Sequence, residues 1–159
     1  MTLGIGIDPG TATTGYGLVR LEEDGALTAV AFGTILTSKE STLQARLSEL
    51  YDQLQEVLRK YKPDTAAVEK LFFQKNTTTA MAVGQARGVV LLALNQAGVD
   101  LSEYTPNEVK QAVAGYGSAD KHQVQEMVRV LLRLDSIPKP DDAADALAIA
   151  ITHLHTHRY

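Results

Sequence analysis

The chain has 159 residues, 45% of them apolar and 21% charged, with no cysteine and a net charge of −4. That balance describes one domain with a real core; it excludes disulfides, thiolate nucleophiles and cysteine-based metal centres, and it argues mildly against a strongly basic nucleic-acid face. The longest apolar run, Val89–Leu94, is far shorter than the roughly 20 residues of a membrane helix, and MTLGIGID places no basic segment ahead of its apolar stretch, so a cytoplasmic protein with no membrane span is expected.

Three strand-like runs come first, Leu3–Asp8, Gly15–Leu21 and Leu27–Thr37, separated by polar clusters as in a meander of hairpins. The period then becomes helical. Leu43, Leu47, Leu50, Leu54 and Leu58 lie on one face, with Ser41 read as the cap and Pro63 as the stop. Thr65–Glu69 is too short for a helix and reads as a buried strand. Thr77–Gly98, rich in small residues and apolar on most sides, reads as a buried or interface helix. A further strand is expected in Val99–Thr105, then a short helix opened by Pro106 and ended at Gly115–Gly117. Asp120–Leu134 and Asp141 to about His157 are the remaining helices. Strands alternating with helices after an opening meander predict an α/β fold, a mixed sheet with helices on both faces, formed by residues 1–159 as a single domain.

Four acidic residues occupy unusual positions. Asp8 ends an apolar strand and is followed at once by Pro9–Gly10; Glu69 ends TAAVE. Strands buried along their length deliver their end residues to the crevice where α/β proteins bind ligands. Asp142 and Asp145 are three apart and share a helix face, with Asp145 interrupting an otherwise apolar stretch. Four converging carboxylates repel one another and resist burial unless a cation joins them. Oxygen-only ligation points to Mg²⁺, with Mn²⁺ as the alternative, and two such ions suit phosphodiester hydrolysis. Taken singly, some acids also have a structural account, turn chemistry for Asp8 and helix capping for Asp141 and Asp142, whereas Glu69 and Asp145 are awkward as bystanders.

GIGIDPGTATTGYGLV by itself is ambiguous, because actin-like and sugar-kinase ATPases open with a similar strand–Asp–Gly–Thr turn, although they need two such lobes. Together with AAVEKLFFQKN, GQARG, VKQAVAGYGSADK and DDAADALAIAITH, in that order across essentially the whole chain, it resembles the RuvC family of Holliday-junction resolvases. The resemblance implies a ribonuclease H-like nuclease domain, a homodimer, and Mg²⁺-dependent paired nicking of a four-way DNA junction in recombination and repair, leaving 3′-hydroxyl and 5′-phosphate ends. It also implies action beside the RuvA–RuvB branch-migration motor. The family's acidic tetrad falls on Asp8, Glu69, Asp142 and Asp145 as catalytic metal ligands, two ions per site; some relatives carry His at the Asp142 position. Asp141 is out of register with it. Basic family positions fall on Lys110 and Lys121, expected to contact phosphate, with Lys121 also stabilising transition-state charge. Phe72 stands at the family's aromatic wedge position and Phe73 beside it, either one available to stack on an unpaired junction base. Thr77–Gly98 is the expected dimer helix, because its small residues permit close approach. His153 and His157 are four apart, the one pair in that segment with the spacing for a shared ligand. A non-catalytic junction-binding module is the alternative, with its acids structural.

Overall fold

A computed structural model describes residues 1–70 and 77–157. Strands β1 (Thr2–Asp8), β2 (Thr13–Leu21) and β3 (Leu27–Leu36) form the antiparallel meander. Helix α1 (Leu43–Tyr61) then leads to β4 (Thr65–Glu69), and α2 (Thr77–Gln96) to β5 (Asp100–Tyr104). Helices α3 (Pro106–Ala114), α4 (Lys121–Leu131) and α5 (Asp141–Thr156) follow. Both β4 and β5 run parallel to β1, giving a mixed five-stranded sheet of order β3-β2-β1-β4-β5.

The period-two alternation of the central strands divides the core. Ile5, Ile7, Ala66 and Val68 point to the face covered by α1 and α2, where they meet Leu50, Leu54 and Val90. The other face carries Val19 and Ala67 against Val109, Val128, Leu147 and Ile151 of α3, α4 and α5. Because α5 is wrapped by the sheet and by α3 and α4, it is apolar nearly all round, and Ala143, Ala144 and Ala146 to Leu154 are all buried. Burial of this kind, rather than helix propensity, holds such a helix in place.

Element ends follow local chemistry, with three corrections to the expected boundaries. The cap of α1 is Thr42, whose Oγ1 accepts from Ala45 N at 3.2 Å; Ser41 turns instead to Glu49. Thr42 immediately precedes the first helical residue, and from there a hydroxyl reaches the third amide of the turn. Asp120 is the cap of α4 rather than its first residue, in a reciprocal box with Gln123. That helix stops at Leu131, where Arg133 turns left-handed at φ 55°, so Leu134 lies beyond it. The start of α3 fits the expectation from Pro106, with Thr105 and Glu108 forming a second capping box and Gly115 (φ 92°) closing the helix. Phe72 and Phe73 lie outside the described residues.

Candidate active site

Residues from three distant segments meet at the carboxyl ends of two parallel neighbours. In β1, Asp8 follows the fully buried Ile7, which is in register with Val68 of β4, so Asp8 and Glu69 leave the sheet side by side. The turn after Asp8 is tied down by buried Thr14, whose hydroxyl donates to Gly10 O at 2.6 Å and accepts from Gly10 N at 3.2 Å. The first two turns of α5 bring in Asp142 and Asp145. One carboxylate oxygen from each of Asp8, Asp142 and Asp145 lies within 4.8 Å of the other two. Glu69 is outside this triplet but lines the same cleft, about 270 Å³ in volume, together with Asp8, Asp145, Lys110 and Lys121. Pro106, Val109, Val124 and Ile149 form its apolar walls.

Crowding shows in the proton affinities. Burial pushes the Asp8 carboxyl up to about 7, reinforced by the charges of Asp145, Asp142 and Glu69 and by a hydrogen bond with Asp142. Glu69 is raised by burial and by Asp145, with Lys110 pulling the other way. Burial also raises Asp145, against the pull of Lys121 and with the push of Asp142 and Asp141. For Lys121 partial burial favours the neutral amine, but Asp145 and Asp141 outweigh it and strengthen its hold on the proton. A half-buried anionic cluster with such raised carboxyls is what a divalent cation would relieve, and a donor set made only of oxygen suits Mg²⁺ or Mn²⁺.

The residues singled out from the sequence therefore separate. Asp8, Asp142 and Asp145 converge, and Glu69, Lys110 and Lys121 share their cleft. His153 is not a metal ligand of any surface pair. Only 1% exposed, it is bonded to Thr65 Oγ1 at 2.6 Å through Nε2 and to the Tyr104 hydroxyl at 2.7 Å through Nδ1. Asp141, out of register with the tetrad, nevertheless holds Lys121. The Nζ of that lysine lies 3.4 Å from Asp141 Oδ2 and 3.6 Å from Asp145 Oδ2, while Gln125 donates to Asp141 Oδ1 at 3.2 Å. Lys121 and Gln125 are four apart on α4 and so share the face that meets Asp141, but nothing in that spacing points to a residue on α5.

Residues 4–153 match the family model described as crossover junction endodeoxyribonuclease RuvC. The chain belongs to this family. It is 53% identical over 154 residues to the protein of that name from Syntrophomonas wolfei, covering 97% of this chain and 89% of the relative. Identity to the Roseiflexus protein of the same name is 58% over 151 residues, 95% of this chain and 89% of that one. The structure of T. thermophilus RuvC in complex with Holliday junction substrate superposes with a TM-score of 0.92 at 38% identity, over 98% of this chain and 94% of that chain. The yeast mitochondrial Holliday junction resolvase Ydc2 shares the ribonuclease H-like fold at 18% identity and TM-score 0.69. The RuvC family is one of metal-dependent nucleases, and this chain carries an acidic cluster suited to a cation. Family membership also removes the ATPase-lobe alternative. No helix among the described residues is long and apolar enough to cross a membrane.

Proposed function

We propose that this chain resolves four-way DNA junctions by paired nicks, with Asp8, Glu69, Asp142 and Asp145 holding two Mg²⁺ ions in the cleft. The observation that carries the reading is the convergence of Asp8, Asp142 and Asp145 within 4.8 Å at a cleft that also holds two lysines. Bound ions would supply water activation and neutralisation of charge at the leaving oxygen. The protein's own residues do the remaining work. Asp8 and Glu69, at the ends of rigid central strands, give the ligands a fixed base, while Asp142 and Asp145 close over them from α5. Lys121, held between Asp141 and Asp145, presents a positive charge where a scissile phosphate would sit; Lys110, beside Glu69, contacts a neighbouring phosphate. Phe72 or Phe73, following Glu69 in sequence, stacks on an opened base.

Two cuts related by a two-fold axis call for two sites so related, and a homodimer supplies them. Support comes from α2. One face is buried through Ala86, Val90 and Ala93, but Met81 and Leu92, on its opposite side with Gln85 and Gly88, are 61% and 50% exposed. The relatives' names and the T. thermophilus complex support the junction as substrate. A cytoplasmic location, one domain spanning residues 1–159 and cooperation with a RuvA–RuvB motor complete the reading.

The test is cleavage of a synthetic mobile junction, beside linear duplex, by wild type and Asp8→Asn. Expected are symmetric paired nicks on the junction only, with Mg²⁺ required. Asp8→Asn should bind the junction comparably and cut it at least about 100-fold more slowly. Unchanged behaviour of Asp8→Asn with no cutting by wild type would make the chain a junction-binding module.

A further inference from the structure

The convergence of ligands depends on how closely α5 approaches the sheet, and that approach runs over glycine. Gly15 of β2 is the register partner of Asp8. A Cβ placed on it would lie 2.0 Å from the main-chain oxygen of Asp142, 2.4 Å from its carbonyl carbon and 3.0 Å from its Cβ. A glycine inside a strand commonly marks such an approach of another backbone. The obstructing atoms here are helical backbone, which cannot turn aside as a side chain can. Restoring ordinary contact would move the first turn of α5 outward by roughly 1 Å, whereas metal–ligand distances are kept within about 0.2 Å.

We propose that Gly15 is a positioning residue for the metal centre: the bare Cα that pairs with Asp8 on one side seats the backbone of Asp142 on the other, setting the distance between the two carboxylates. The proposal rests on the reading of Asp142 as a metal ligand. Gly17, on the same strand and beneath the same helix, is the natural contrast. Its Cβ would meet mainly the Leu147 side chain, at 2.7 and 2.8 Å, and Leu147 N at 2.9 Å. Alanine there disturbs the same interface without pressing on a ligand residue.

The experiment measures Mn²⁺ affinity of the DNA-free protein by calorimetry, with urea unfolding alongside. Gly15→Ala is expected to remain folded at reduced stability and to bind Mn²⁺ about 10- to 100-fold more weakly, while metal-free junction binding stays within about twofold. Gly17→Ala should lose stability but keep Mn²⁺ affinity within about threefold of wild type. Asp142→Glu tests the seating without touching the glycine. Its longer side chain, on a backbone that cannot retreat, overshoots and weakens Mn²⁺ binding, and Gly15→Ala/Asp142→Glu recovers part of the loss. A folded Gly15→Ala with wild-type affinity, or an equal loss in Gly17→Ala, overturns the proposal. Where Gly15→Ala does not fold, wild-type affinity in Asp142→Glu overturns it. Undiminished Mn²⁺ affinity in Asp142→Asn instead overturns the reading of Asp142 as a ligand.

Discussion

Asp8 reaches its place in the fold against its own preference for water. The carboxyl titrates near 3.8 when unhindered and is pushed up to about 7 here, chiefly by burial. Between those values the folded chain holds a proton that the unfolded chain has released, so stability falls as pH rises through that window. Asp8→Asn keeps the shape and removes the charge. It is expected to stabilise the metal-free protein at pH 8 by about 1–3 kcal/mol, an advantage that shrinks below pH 5 and on addition of Mg²⁺. Urea midpoints across pH, with and without Mg²⁺, check this; a metal-free variant no more stable than wild type at pH 8 would contradict it. The position of Asp8 was legible in the sequence because a strand buried along its length delivers its end residue to a crevice, even though turn chemistry alone would also suit an acid before Pro9–Gly10. Asp141 was not, because its partners Lys121 and Gln125 stand on another helix, and only packing of α4 against α5 shows that one carboxylate serves both.

At the level of elements, the buried imidazole of His153 pins α5 to the sheet. It reaches β4 through Thr65 and β5 through Tyr104, and burial, aided by His157, lowers its pKa from 6.5 to about 4. Below pH 6.5 the unfolded chain takes up a proton that the fold excludes, so this contribution is lost as pH falls through the window between 6.5 and 4. In an Asp8→Asn background, which removes the strongest opposite slope and leaves the smaller ones of Glu69 and Asp145, the His153 contribution should make the protein less stable at pH 4 than an otherwise identical chain without that histidine, by about 2–3 kcal/mol. Adding His153→Asn should flatten that part of the urea-midpoint profile, and an unchanged slope would count against the pin. From the sequence, His153 offered only its four-residue spacing from His157, since nothing local reveals that two strands close over it. Strand and helix order were readable, because hydrophobic period and the Pro and Gly stops are local. The close approach at Gly15 was hidden for the same reason as the pin: a strand glycine looks the same whether it faces solvent or a helix backbone.

For the whole molecule, the exposed apolar positions on α2 have a measurable meaning. Leu92→Glu places a charge in the expected two-fold interface, and like charges would then face each other across the axis. The variant should run as a monomer by light scattering while keeping its fold and its Mn²⁺ affinity; a dimer of unchanged strength would move the interface elsewhere. The mixed sheet was within reach of pattern, whereas the pairing of β1 with β4, which aligns Asp8 with Glu69, required the topology itself. The same topology orders events during synthesis. A ribosome that has reached Leu134 has made β1 to β5 and α1 to α4, yet only Asp8 and Glu69 of the four cleft acids have left it. The other two arrive with α5, which must dock between sheet and helices before the four acids proposed as metal ligands can meet. On the proposed ligand set, a nascent or prematurely terminated chain that lacks α5 holds only half of its metal-binding carboxylates, so metal binding would come last in the order of synthesis.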